Sequence, residues 1–235
     1  QLNEIPMPSK GEVLIKIDSS PINPSDNSFL KGMYSTKKPL PVVPGFEASG
    51  KVLATGNDFM SKRLLGKSVA CFAPMDGNGT WAEYMVTKNN MTIPLKKGID
   101  IEQGSMQMVN PISVIAMLEI ARKGNHSAIA NTAAASALGR MMNRLCIEKN
   151  LPVVNIVRRE EQVQLMKSEG AKYIVNSSSK NYRKELKSIF TELNVTLAFD
   201  AIAGQSVFSL MEALPAGGEV MVYGGLSEEA ASVNP

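Results

Sequence analysis

The chain has 235 residues, 44% of them hydrophobic, and no apolar run near the ~20 residues that cross a bilayer, so one large or two ordinary domains without membrane insertion are expected. Its net charge of +3 comes from 25 lysines and arginines scattered among 22 acids, which argues against a nucleic-acid partner. Cys71, Cys146 and the single histidine, His126, stand far apart with no second ligand at metal spacing, which excludes an obvious metal site or Ser-His-Asp hydrolase.

Residues 1–110 carry short β-like runs, EVLIKI from residue 12, EASGKVLATG from 47, KSVACFAP from 67, WAEYMVT from 81 and MTIPL from 91. Glycine, proline and Asn/Asp pairs punctuate them, the pattern of an irregular, mostly-β domain. The pattern changes in residues 111–235. PISVIAMLEIARK reads as a helix closed by Gly124, and then strand and helix alternate: SAIANT, LGRMMNRLCIEK, PVVNIVR, EEQVQLMKSE, KYIVN, NYRKELKSIFTE, VTLAFD, QSVFSLMEAL and GEVMVYG. These strands are apolar on both faces, as in a parallel sheet covered by helices on both sides. The expected fold is α/β, with a doubly wound parallel sheet one strand short of the usual dinucleotide-binding six. The chain enters directly on a strand and stops just after one, so both domains are expected to be incomplete at the chain ends. Its compartment is left open between cytoplasm and mitochondrial matrix.

The turn after the first strand of the alternating half, NTAAASALGRMM from Asn131, is where a dinucleotide-binding chain carries glycines that admit a pyrophosphate. Only Gly139 is present. The residues alone leave open a cofactor loop with Ala and Ser in place of glycine, or a plain strand-to-helix turn. Ser136 offers a hydroxyl and a backbone N–H at a helix N-terminus, where amides and dipole favour anions. The second strand ends NIVRREEQ, placing Arg158 and Arg159 where an acid would select a ribose 2′-hydroxyl and arginine accepts a 2′-phosphate. The alternative for these arginines is a solvated strand end. Glu160 and Glu161 complement the dipole of the helix they begin.

The first half contains PGFEASGKVLATG, with Pro44, Gly45, Glu47, Gly50, Val52 and Gly56 spaced PGxExxGxVxxxG, together with INPSD at 22–26, GTWAEYMV at 79–86 and VNP at 109–111. On these motifs the chain resembles the medium-chain dehydrogenase/reductase superfamily, most closely the quinone oxidoreductase and enoyl thioester reductase branch. The resemblance implies a GroES-like catalytic domain and a Rossmann domain, with further chain before Gln1 and after Pro235. Zinc-dependent relatives carry a cysteine near INPSD and a four-cysteine lobe. Here Asn23, Ser25 and Asp26 stand at the first place and no cysteine cluster occurs, so a zinc-free member is expected.

By the same resemblance the pyrophosphate lies over Ala135, Ser136, Ala137, Leu138 and Gly139, and Ala133 also occupies a glycine-loop position. NADPH is expected in preference to NADH, with Ser177 a weaker substitute for a tyrosine that relatives use for the 2′-phosphate. Asn23, Asp26, Asn110, Ser113, Gly224, Gly225 and Leu226 match the nicotinamide end of the cleft. Tyr34, in GMYS, matches a tyrosine that steadies the developing enolate, with a half-buried aromatic following a glycine turn as its alternative, so Tyr34, Asn23 and Asp26 are the catalytic candidates. Asn23 and Asp26 have the alternative of organising a turn before a helix, and Glu47 and Trp81 are read as structural. The implied function is NADPH-dependent, zinc-independent hydride transfer to a quinone or an α,β-unsaturated carbonyl such as an enoyl thioester, by a homodimer. The alternative is a non-catalytic scaffold protein that retains the fold.

Overall fold

The structure is a computed structural model describing residues 4–231, and the chain divides into two compact units, residues 1–112 and 113–235. The first unit is built on strands β1 (Glu12–Ser19), β2 (Glu47–Thr55), β3 (Ser68–Phe72), β4 (Tyr84–Lys88) and β5 (Thr92–Pro94). They pair antiparallel in the order β4-β1-β2-β3-β5. Alternation along the strands turns Val13, Ile15, Val52, Val69, Cys71 and Met85 into one core. Three short helices, α1 (Pro24–Leu30), α2 (Phe59–Lys62) and α3 (Ile101–Gly104), interrupt the strands.

Two sequence motifs meet in this unit. Trp81 N–H donates to Pro44 O at 3.0 Å and Thr80 N–H to Gly45 O at 3.1 Å, so the 79–81 turn folds over the PGFE turn. This explains why the expected strand at 81–87 begins only at Tyr84. Gly45 has φ +98°, and a Cβ there would come within 2.5 Å of the Trp81 ring. Both the backbone conformation and the space demand glycine. The Trp81 indole N–H is aimed at Pro21 O, 3.4 Å away. Asp58 caps α2 through Ser61 N–H at 2.9 Å and also accepts from Gly11 N–H at 2.7 Å, tying the helix to the turn before β1.

Helix α4 (Val109–Lys123) leads into the second unit. Here β6 (Ile129–Asn131), α5 (Ala137–Glu148), β7 (Val153–Val157), α6 (Glu160–Ser168), β8 (Tyr173–Asn176), α7 (Tyr182–Leu193), β9 (Leu197–Asp200), α8 (Gln205–Ala213) and β10 (Glu219–Val222) alternate as expected. The strands are all parallel, in the order β10-β9-β6-β7-β8. Val114, Met117, Met142 and Cys146 pack from α4 and α5 against Ile129, Leu197 and Phe199. Leu186, Phe190 and Leu210 pack from α7 and α8 against Ala130, Val154 and Ala198 on the opposite face. Those two apolar layers make the sheet doubly wound.

β6 is shorter than the expected 127–132; just beyond it Thr132 still donates its N–H to Phe199 O at 3.0 Å, while its hydroxyl donates to Asp200. At the other end of this region His126 Nδ1 lies 2.7 Å from Thr196 Oγ1, a structural partner for the only imidazole. Cys71 and Cys146 are buried in the two cores, and burial pushes each thiol up to about 12. Among the described residues no helix is long and apolar enough to cross a membrane, and no three His, Cys, Asp or Glu residues stand together as a metal-holding group.

Candidate functional site

The β6–α5 turn, residues 132–136, contains no glycine. Ala133 adopts φ +49°, a left-handed conformation that glycine would take more easily. A Cβ on Gly139 would stand 2.5 Å from Ala134 O and 2.6 Å from Ala134 Cα, so α5 presses directly on the turn. That contact is with backbone, which cannot swing aside, and it accounts for the one glycine retained. Ser136 is the N-cap: its Oγ accepts from Gly139 N–H at 3.1 Å.

One expectation is corrected here. The Ser136 N–H does not face outward for a phosphate, because it donates to Ala133 O at 2.9 Å and closes the turn. What remains at the helix start is the Ser136 hydroxyl proton and the N–H groups of Ala137 and Leu138, which have no partner among the described residues. These are donors of the kind that bind anions at helix N-termini.

One strand over, Arg158 and Arg159 follow β7 and line an open pocket of about 520 Å³ with Gln162 and Ser178. Arg158 is pinned on both sides, its N–H donating to Gln162 Oε1 at 3.0 Å and its carbonyl accepting from Ser178 Oγ at 2.8 Å. Arg159 N–H also donates to Gln162 Oε1, at 3.1 Å. Ser177 is half-buried and donates its N–H to Val157 O, extending the β7–β8 pairing; its neighbour Ser178, not Ser177, reaches the arginine segment.

Sequence reasoning missed the polar knot beneath the loop. Asp200, fully buried at the end of β9, accepts from the hydroxyls of Thr132 at 2.8 Å and Ser206 at 2.7 Å and from Ala203 N–H at 2.7 Å. Thr132 Oγ1 in turn accepts from Ala201 N–H at 2.8 Å. A carboxylate closing an apolar strand, LAFD, is the signal that marks it, since a buried acid must find donors. After β10, a Cβ on Gly224 would meet Ala201 O at 2.7 Å, and Leu226 N–H donates to Ala201 O at 3.0 Å. Gly225 faces open space, and nothing in the packing requires it. Ser113 sits half-buried in α4.

In the first unit Asn23, Asp26 and Asn110 come together around Glu47, which is 1% exposed. Glu47 Oε1 accepts from Asn23 Nδ2 at 2.8 Å, and Oε2 accepts from Met108 N–H at 3.0 Å and Val109 N–H at 2.9 Å. The carboxylate thus caps the start of α4, which begins two residues before the expected Pro111. Asn110 Nδ2 approaches Asn23 Oδ1 at 3.4 Å. Asp26 Oδ2 accepts from Asn23 N–H at 2.7 Å, and burial raises the Asp26 pKa against that bond. Asn23 and Asp26 therefore organise the entry to α1, the structural alternative stated for them. Tyr34 stands differently: its ring lies 5.0 Å from Phe46, it is 36% exposed, and its hydroxyl has no partner among the described residues.

Residues 9–97 match the family model for the alcohol dehydrogenase GroES-like domain, and residues 137–235 match the model named zinc-binding dehydrogenase. A mitochondrial enoyl-[acyl-carrier-protein] reductase of Caenorhabditis elegans is 31% identical over 94% of this chain and 64% of its own length. A quinone oxidoreductase of Rattus norvegicus is 26% identical over 94% of this chain and 66% of its own. Among solved structures, a Mesorhizobium loti protein named as an NADPH:quinone reductase superposes with a TM-score of 0.90 at 32% identity, covering 97% of this chain and 66% of that one. The chain spans slightly under two thirds of the length of these relatives.

Proposed function

The chain belongs to the medium-chain dehydrogenase/reductase superfamily, in the branch of quinone oxidoreductases and enoyl thioester reductases, and from that premise we propose that it is an NADPH-dependent oxidoreductase working without zinc. Its acceptor is a quinone or an α,β-unsaturated carbonyl such as an enoyl thioester. The observation that carries this reading is the open pocket lined by Arg158 and Arg159, one strand from a helix start with unpaired amides.

The residues present fit a phosphorylated dinucleotide. Ala137 and Leu138 N–H groups and the Ser136 hydroxyl receive the pyrophosphate, over a turn where Ala135 carries only a methyl group and Gly139 lets α5 pack against Ala134. The guanidinium forks of Arg158 and Arg159, beside Ser178, receive the 2′-phosphate. Asn110, Ser113, Gly224, Gly225 and Leu226 serve the nicotinamide end. When bound, the dinucleotide supplies the hydride. With no metal to polarise the acceptor, the Tyr34 hydroxyl donates to the carbonyl oxygen as negative charge accumulates there. Asn23 and Asp26 support this by holding α1, whose C-terminal turn leads to Tyr34. The working form is a homodimer, to be checked by light scattering.

The test is titration of the purified chain with NADPH and NADH, followed by NADPH consumption with a quinone and with a 2-enoyl thioester. Tighter NADPH binding with turnover of either acceptor supports the proposal; absence of binding sinks it. A second reading, a scaffold that binds the nucleotide without turnover, is favoured by the engagement of Asn23 and Asp26 in structural bonds. It predicts NADPH binding with neither acceptor reduced.

A further inference from the structure

Gln162 occupies the third position of α6 and lines the arginine pocket. Both of its hydrogen bonds come from backbone N–H groups, those of Arg158 at 3.0 Å and Arg159 at 3.1 Å. Only a carbonyl oxygen accepts such bonds, so the orientation of the carboxamide is dictated and its oxygen is used up on the chain. Its NH2 has no partner among the described residues, and two N–H donors are left for whatever enters the pocket. Ser178 is the converse: its hydroxyl proton goes to Arg158 O at 2.8 Å, leaving only acceptor lone pairs. The pocket thus offers two guanidinium groups and one oriented amide as donors.

We propose that Gln162 is a specificity-determining residue, donating from its side-chain NH2 to the 2′-phosphate of NADPH while its carbonyl holds Arg158 and Arg159 in place. This rests on the NADPH reading above. A glutamate at this position would cap the helix equally well, since Glu at the third position is the usual partner in a capping box. It would, however, replace the donor with a negative oxygen. Against a 2′-phosphate that is repulsive; against a 2′-hydroxyl it is an additional acceptor.

The decisive variant is therefore Gln162→Glu in the full chain, with Kd for NADPH and NADH measured by fluorescence titration. NADPH binding is expected to weaken by more than tenfold while NADH binding holds or tightens. Gln162→Met, which removes the amide without adding charge, is expected to weaken NADPH by about tenfold, the value of one hydrogen bond to a charged group. It keeps the proposal testable if the glutamate chain fails to fold. An unchanged NADPH/NADH ratio in a folded variant overturns the role of Gln162. If Arg158→Ala/Arg159→Ala still brings the two affinities together, the NADPH reading survives that failure. If the double alanine variant also leaves the ratio unchanged, or the wild-type chain binds no NADPH, both fall.

Discussion

Tyr34 and Ala133 show how much depends on single groups. The Tyr34 ring is supported by Phe46, so Tyr34→Phe removes only the unpartnered hydroxyl. If that hydroxyl meets the developing oxyanion, turnover with an enoyl thioester is expected to fall ~10²-fold or more with NADPH affinity unchanged. Wild-type turnover in that variant would remove Tyr34 from the chemistry. Ala133 carries a left-handed backbone that costs an L-residue about 1–2 kcal/mol, whereas glycine loses roughly 0.5–1 kcal/mol in chain entropy. Ala133→Gly should therefore raise stability by roughly 0.5–1 kcal/mol in urea unfolding, and a loss of stability would mean the alanine is unstrained. The composition of this turn left its conformation open: AAAS holds no glycine, and the bend is set by the Ser136 N–H bond to Ala133 O and by packing of Gly139 against Ala134.

The elements differ in how openly the sequence announced them. Strands and helices of the second unit were legible because long runs such as PVVNIV and YRKELKSIF are apolar with clear period and are bounded by turn residues. Helices α1, α2 and α3 were not, since four to seven residues hold too few turns to show a period; they are made by caps. Asp58 is the clearest. The Ser61 N–H, then the Ser61 hydroxyl and the Gly11 N–H, hold its carboxyl down to about 2. The unfolded chain has an aspartate near ~3.9, so ionised Asp58 stabilises the fold above about pH 4 and that contribution disappears as pH falls through about 2. Urea midpoints measured from pH 5 downward should drop less steeply for Asp58→Ala than for the parent. Parallel acid limbs would show that this cap does not couple to folding. Likewise Glu47 was read as structural and does anchor backbone amides, but its targets, Met108 and Val109, lie too far along the chain for spacing to reveal. The knot of Thr132 and Asp200 was hidden for the same reason.

For the molecule as a whole, the parallel sheet was legible from the change of period near residue 111, and the chain forms two compact units, residues 1–112 and 113–235. The zinc-independence expected from the missing cysteines has a direct check: elemental analysis of purified protein should find no stoichiometric zinc, and a chelator should leave NADPH consumption intact. Zinc lost together with activity would overturn it. A different consequence follows from the placement of Trp81 over Gly45 and of His126 against Thr196. The chain has one tryptophan and one histidine, and they fall in different units. Indole fluorescence therefore reports the first unit alone, and the imidazole proton resonances report the second. A single unlabelled sample followed through denaturant by both signals distinguishes one cooperative transition from two, because each unit carries its own native reporter.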